Sequence, residues 1–137
     1  MLIKATLRSS ASGHDASVAT AGAVKQVAVP PKRDGQGSSI NGGEFLMLAL
    51  ATCYCNDIYR EAARLNIRVD AVEVHASAEF EGVGLAAKNI RYQARVSSPA
   101  PAGRVAQLLR ETDAVAEIHN TVRAGVPVML IPWDAKG

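Results

Sequence analysis

Two cysteines, Cys53 and Cys55, are the only thiols in the chain, and both fall in the stretch NGGEFLMLALATCYCNDIYREAARLN, residues 41–66. A cysteine reacts as the thiolate and needs a lowered pKa and some access to solvent; without these it is a small apolar core residue. Both readings are open for Cys53, which follows Ala49, Leu50, Ala51 and Thr52. In a helix a two-residue step turns the side chain by roughly 200°, so Cys55 faces away from Cys53 and cannot be its disulfide partner. Asn56 and Asp57, three and four residues beyond Cys53, share its face. An unpaired Asp57 carboxylate would raise the thiol pKa, so a reactive Cys53 needs a cation from elsewhere in the chain or from a second subunit. The candidates are Arg8, His14, Arg33 and His119, each equally readable as a solvated surface group. The chain's three histidines lack carboxylate or cysteine companions at ligand spacing, which argues against a zinc site. No cofactor is expected.

The stretch that holds the cysteines reads as one long helix. Asn41 and Glu44 form a capping-box pair at its start, and Asn66 suits the left-handed position that closes a helix. Residues 45–55 carry no charge whereas 56–64 are mostly polar, so the first three turns are expected to be buried on nearly every side and the rest on one face. About 24 residues at roughly 1.5 Å each make a rod of roughly 36 Å, more than one subunit of this length can cover. Before it, residues 1–29 alternate weakly, as two or three short strands with turns at 13–15 and 21–22, and the Pro-, Gly- and Ser-rich residues 30–43 form a loop.

After the helix comes a two-residue period, with Val72, Val74, Ala76, Ala78 and Phe80 on one face and Glu73, His75, Ser77 and Glu79 on the other. A second strand repeats it, with Ile90, Tyr92, Ala94 and Val96 inward and Arg91, Gln93 and Arg95 outward, an acidic strand against a basic one. Val105, Leu108, Leu109 and Thr112 then follow helical spacing. A further helix is expected from about Asp113 to Gly125 with Arg123 in its last turn, and residues 126–131, VPVMLI, read as a final strand. The order is that of an α+β domain with a mostly antiparallel sheet, one domain over residues 1–137.

Composition limits the partners. A hydrophobic content of 48% with 20% charged residues suits a globular domain, and a net charge of +2 from 15 basic and 13 acidic residues, spread without runs, leaves no basic footprint for nucleic acid. The longest apolar run, residues 45–55, is too short to span a bilayer. The N-terminal residues show no signal-peptide pattern, so a cytoplasmic protein with reduced thiols is expected.

The segments GGEFLMLALATCYCNDIYREAARLNI, VDAVEVHASAEF and HNTVRAGVPVML together resemble the OsmC and Ohr proteins, thiol-dependent peroxidases of bacteria, and the resemblance runs from residue 35 onward. It is nearest to the OsmC-like branch, whose helix often carries a cysteine and an aspartate four residues later, here Cys53 and Asp57. The resemblance implies an intertwined homodimer whose sheets wrap two long central helices, with paired sites at the interface. It further implies that Cys53 is the peroxidatic cysteine, oxidised to a sulfenic acid by an organic hydroperoxide in a pocket that admits an alkyl group.

Three positions depart from the family pattern. Ala116, four residues before Asn120, stands where the family has its resolving cysteine. The acidic pair that opens the family helix is Gly43 and Glu44 here, so only Glu44 is carried over, and it doubles as the capping residue. The family arginine of an early glycine-rich turn falls near Gly13 and His14, which leaves His14 or Arg33 to substitute. The expected site is therefore Cys53 and Glu44, with Asn56, Asp57, Cys55, His14, Arg33 and His119 in support. Two functions follow from it: a one-cysteine redox protein served by an external thiol reductant, or a degenerate dimer that binds a small apolar ligand without turnover.

Overall fold

The computed structural model describes residues 1–133 and divides the chain into two compact units, residues 1–46 and Met47 onward. The first unit is a three-stranded antiparallel meander, β1 (Ile3–Ser9), β2 (His14–Thr20) and β3 (Ala23–Val27), in the order β1-β2-β3. Ala21 and Gly22, both at positive φ, make the tight second turn, while His14 and Asp15, expected in the first turn, already belong to β2. Ile3 pairs with Thr20 and Arg8 with Asp15 across β1 and β2.

The helix α1 (Gly42–Arg64) crosses the division between the units. Its start is the expected capping box: the Asn41 amide donates to Glu44 Oε2 at 2.7 Å and the Glu44 amide to Asn41 Oδ1 at 2.8 Å. Its end is a left-handed Asn66, at φ 55°, beyond which the Ile67 amide donates to the Ala62 carbonyl at 2.8 Å.

The second unit carries the core. β4 (Ala71–Glu79) and β5 (Lys88–Ser97) form an antiparallel hairpin with Val72, Val74, Tyr92, Ala94 and Val96 on the packed face. Glu73 faces Arg95 across its wet face and pairs with it, as the charge pattern predicts. The packed face meets Tyr54, Ile58 and Ala62 of α1, Leu108 of α2 (Ala102–Val115) and Ala116. Tyr54 Oη donates to the Leu109 carbonyl at 2.7 Å, tying α1 to α2, and the buried Thr112 hydroxyl donates to the Leu108 carbonyl. α3 (Glu117–Ala124) closes on a left-handed Gly125.

Four further expectations change. Within residues 45–55 only Leu50 and Tyr54 are buried, because a single chain covers one stripe of the helix and leaves Leu48 largely exposed. Phe80 lies past the end of β4 and is exposed. The last helix begins at Glu117 rather than near Asp113, since Ala116, at φ −72° and ψ 100°, leaves the helical region and ends α2. Residues 126–131 form no strand, having no paired neighbour among the described residues, and Val128, Met129, Leu130 and Ile131 stand exposed. Among the described residues no helix is long and apolar enough to cross a membrane.

The capping box gives Glu44 a structural role that can be measured. Asn41→Ala is expected to lower stability by about 1 kcal/mol in urea unfolding, whereas Glu44→Gln, which can still bond the Asn41 amide, should cost clearly less. An equal loss for both variants would show that the Glu44 charge, and not its hydrogen bond, is what the helix start uses.

Candidate functional site

Cys53 sits in the middle of α1, half-buried, and its thiol donates to Asp57 Oδ2 one turn later at 3.6 Å. The other oxygen of that carboxylate, Oδ1, takes Arg60 Nη1 at 2.9 Å. Arg60 also reaches Glu61 at 3.2 Å and Glu117, the first residue of α3, at 3.7 Å. The Cys53 sulfur and one carboxylate oxygen each from Asp57 and Glu117 lie within 4.8 Å of one another. The site is thus a thiol and two carboxyl groups with one guanidinium among them.

The charge pattern decides the state of the thiol. Burial pushes the Cys53 pKa up, and the charges of Asp57 and Glu117 and the hydrogen bond to Asp57 push it further; the backbone amide of Ile118 pulls the other way. Asp57, only 6% exposed, is likewise raised, chiefly by burial, with Arg60 opposing and Glu117 adding to the rise. Arg60 is about half exposed, so its attraction is screened and does not outweigh the burial. In this chain Cys53 is held as a thiol beside a proton acceptor.

A second cluster adjoins α1 on the core side. The His119 ring lies 4.4 Å from the Tyr92 ring and 5.7 Å from the Tyr54 ring, and the two tyrosines meet edge-on at 4.7 Å. Tyr92 donates to Asp113, which Arg123 holds at 2.6 Å. Burial and the Asp113 charge push the Tyr54 hydroxyl up to about 12. His119 is 3% exposed with neither ring nitrogen hydrogen-bonded, and burial, then Arg123, hold its pKa below the usual value. Burial thus favours the neutral imidazole and disfavours His119 as a cation for Cys53.

The remaining expected residues are placed as follows. Asn56 is exposed and lines a shallow recess with Cys55, Ala51, Thr52 and Val74, so of the two residues expected on the face of Cys53 only Asp57 meets the thiol. Arg8, His14, Arg33 and Glu44 belong to the first unit. There Arg8 pairs with Asp15 at 3.4 Å, His14 Nε2 shares a hydrogen bond with Ser38 Oγ at 2.9 Å, Arg33 is exposed in the loop, and Glu44 caps α1. Sequence reasoning missed Arg60 and Glu117. Arg60 was legible as the i,i+3 partner of Asp57, whereas Glu117 stands sixty residues away and needed the break at Ala116 to be seen.

Comparison with known proteins agrees on the fold. Residues 35–130 match the OsmC-like protein family. An OsmC-like protein from Mycoplasma pneumoniae is similar with a TM-score of 0.61 and 17% identity, over 88% of this chain and 85% of that one. A Legionella pneumophila protein, described as an organic hydroperoxide resistance protein OsmC, predicted redox protein and regulator of sulfide bond formation, gives 0.61 and 16%, over 90% of both chains. An OsmC-like protein of unknown function from Vibrio cholerae gives 0.54 and 13%, over 88% and 91%. A search of curated proteins gives no match.

The buried imidazole makes a pH prediction. The unfolded His119 titrates near about 6.5 and the folded one lower, so its contribution is full above about pH 6.5 and is lost as pH falls through the folded value. His119→Phe, which keeps a ring against Tyr54 and Tyr92, is expected to flatten the fall in urea-unfolding stability below about pH 6.5. A variant whose stability falls as steeply as the parent's would rule out His119 as the group responsible.

Proposed function

The chain belongs to the OsmC-like family, and we propose that it is a thiol redox protein of that family in which Cys53 reduces organic hydroperoxides and an external thiol restores it. The observation that carries this reading is the contact of the Cys53 thiol with Asp57, a carboxylate oriented by Arg60 through its other oxygen. The description of the Legionella relative as a hydroperoxide resistance and redox protein supports the same reading.

In the proposed reaction the Cys53 sulfur attacks the terminal oxygen of the hydroperoxide, an S–O bond forms and the O–O bond breaks. The thiol proton passes through Asp57 to the departing alkoxide, which leaves as the alcohol, and the sulfur, oxidised by two electrons, becomes a sulfenic acid. Position 116, where the family resemblance expects a resolving cysteine, is a fully buried alanine. The sulfenic acid therefore condenses with an external dithiol, releasing water, and the second thiol of that reductant frees Cys53.

A homodimer is part of this reading. Leu48 and the run Val128, Met129, Leu130 and Ile131 are exposed apolar side chains that a second subunit would bury. That subunit could also bring a cation to the thiol. The alternative reading, a binding module without turnover, is favoured by the placement of the half-buried Cys53 beside the carboxyls of Asp57 and Glu117, which disfavours its thiolate.

Treatment with an organic hydroperoxide followed by a dimedone reagent and peptide mass spectrometry is expected to label Cys53, with Cys53→Ser as the control. Labelling no faster than that of an ordinary free thiol would leave the binding module. Light scattering is expected to give about twice the 14.4 kDa of one chain at low concentration, and a monomer would remove the interface from the account.

A further inference from the structure

The short helix α3 faces two ways. Its first two residues serve the thiol: Glu117 turns its carboxylate to Cys53 and Asp57, and the Ile118 backbone amide reaches the Cys53 sulfur. Its third residue, His119, is the only buried one of the helix, with Val122 partly covered. The imidazole is 3% exposed and packs against Tyr92 and Tyr54, yet neither ring nitrogen has a hydrogen-bond partner. A phenyl ring would fill this place without stranding two polar atoms, so what histidine adds here is a group that can take up a proton.

We propose that His119 is a proton-operated latch: on acidification its ring leaves its seat against Tyr54 and Tyr92, the start of α3 comes away with it, and Cys53 is uncovered. A protonated ring is poorly hosted where it stands. Burial has taken away its water, and every group facing it is engaged or repels. From α1 it faces Tyr54 and Asp57, from β5 Tyr92, from α2 Asp113 and from its own helix Arg123. Tyr54 donates its hydroxyl hydrogen to the Leu109 carbonyl and Tyr92 to Asp113. Asp113 is held by Arg123 at 2.6 Å and Asp57 by Arg60 at 2.9 Å, while the Arg123 charge opposes a second cation beside it. The proton therefore favours a ring that has moved into water.

The fold gives α3 the means to move. The helix has 8 residues, too few to persist without tertiary support, and is bounded by Ala116, extended at ψ 100°, and by Gly125, left-handed at φ 59°. Its other ties lie at the surface: Arg123 to Asp113, Asn120 Nδ2 to the Ala114 carbonyl at 3.1 Å, and Glu117 to Arg60 at 3.7 Å. Once the ring is out, Glu117 and the Ile118 amide leave the thiol together, because they precede His119 on the same turn. Cys53 then passes from half-buried to open. The proposal does not rest on the peroxidase reading, since it concerns access to the sulfur and needs no turnover.

Modification of Cys53 by dithiodipyridine, a disulfide that titrates thiols even in acid, tests it, with each rate in the full-length Cys55→Ser protein divided by that of glutathione at the same pH. Between about pH 7.5 and about pH 4.5 the ratio is expected to rise by at least about tenfold, and His119→Phe to hold it at its neutral-pH value. Amide hydrogen exchange of the parent at both pH values is expected to show residues 117–124 losing protection while residues 54–62 of α1 keep theirs, which separates release of α3 from unfolding of the domain. No rise of the ratio, a rise that persists in a folded His119→Phe, or loss of protection in α1 and α3 together would overturn the proposal. A latch that opens in a protein that leaves hydroperoxide unreduced would uphold the proposal and remove the peroxidase.

Discussion

A carboxylate placed in the interior of a helix packing face is the constraint on which this site depends. Asp57 has lost most of its water and must be served by neighbours, and the structure supplies three: a thiol one turn before it, a guanidinium one turn after it, and a second carboxyl from α3. The guanidinium is about half exposed, and such a pair is worth about 0–1 kcal/mol, less than the cost of withdrawing a carboxylate from water. Burial therefore wins, and both Asp57 and Cys53 are raised. Both groups thus favour their protonated forms more than they would in water, and whatever activates the thiol must either take its proton or bring positive charge.

The same helix does two jobs along its length. From Tyr54 onward it buries a stripe against the hairpin and α2, with Ile58 fully enclosed and the Tyr54 hydroxyl tied to Leu109. Before that point much of its apolar surface stays uncovered in one chain, Leu48 most plainly. Cys53 lies at the junction of these two regimes, where the core already fixes the backbone while the thiol still meets solvent. The fixed backbone also makes the 3.6 Å approach of Cys53 to Asp57 a property of the helix repeat rather than of a flexible loop.

The local features of the fold were legible in the sequence. The Asn41 and Glu44 cap, the left-handed Asn66, the alternating hairpin with Glu73 facing Arg95 and the Gly125 stop are all set by residues close in sequence or by a two-residue period. What was not legible depended on contacts at long range. The break at Ala116 lies inside a run that reads as helix, and it is this break that starts α3 at Glu117 and turns a carboxylate to Cys53. His119 was one of four candidate cations; its packing against two tyrosines, which no spacing rule announces, buries it and favours the neutral ring. Residues 126–131 had the composition of a strand, but a strand exists only where an edge is free to pair with it.

The central claim, that burial and two carboxyl groups keep Cys53 protonated, is tested most directly by following the ultraviolet absorbance of its thiolate against pH in a Cys55→Ser background, with and without Asp57→Asn. The account predicts a midpoint above that of an ordinary cysteine, falling when the Asp57 charge is removed. A midpoint already below the ordinary value, or one that Asp57→Asn leaves in place, would contradict it.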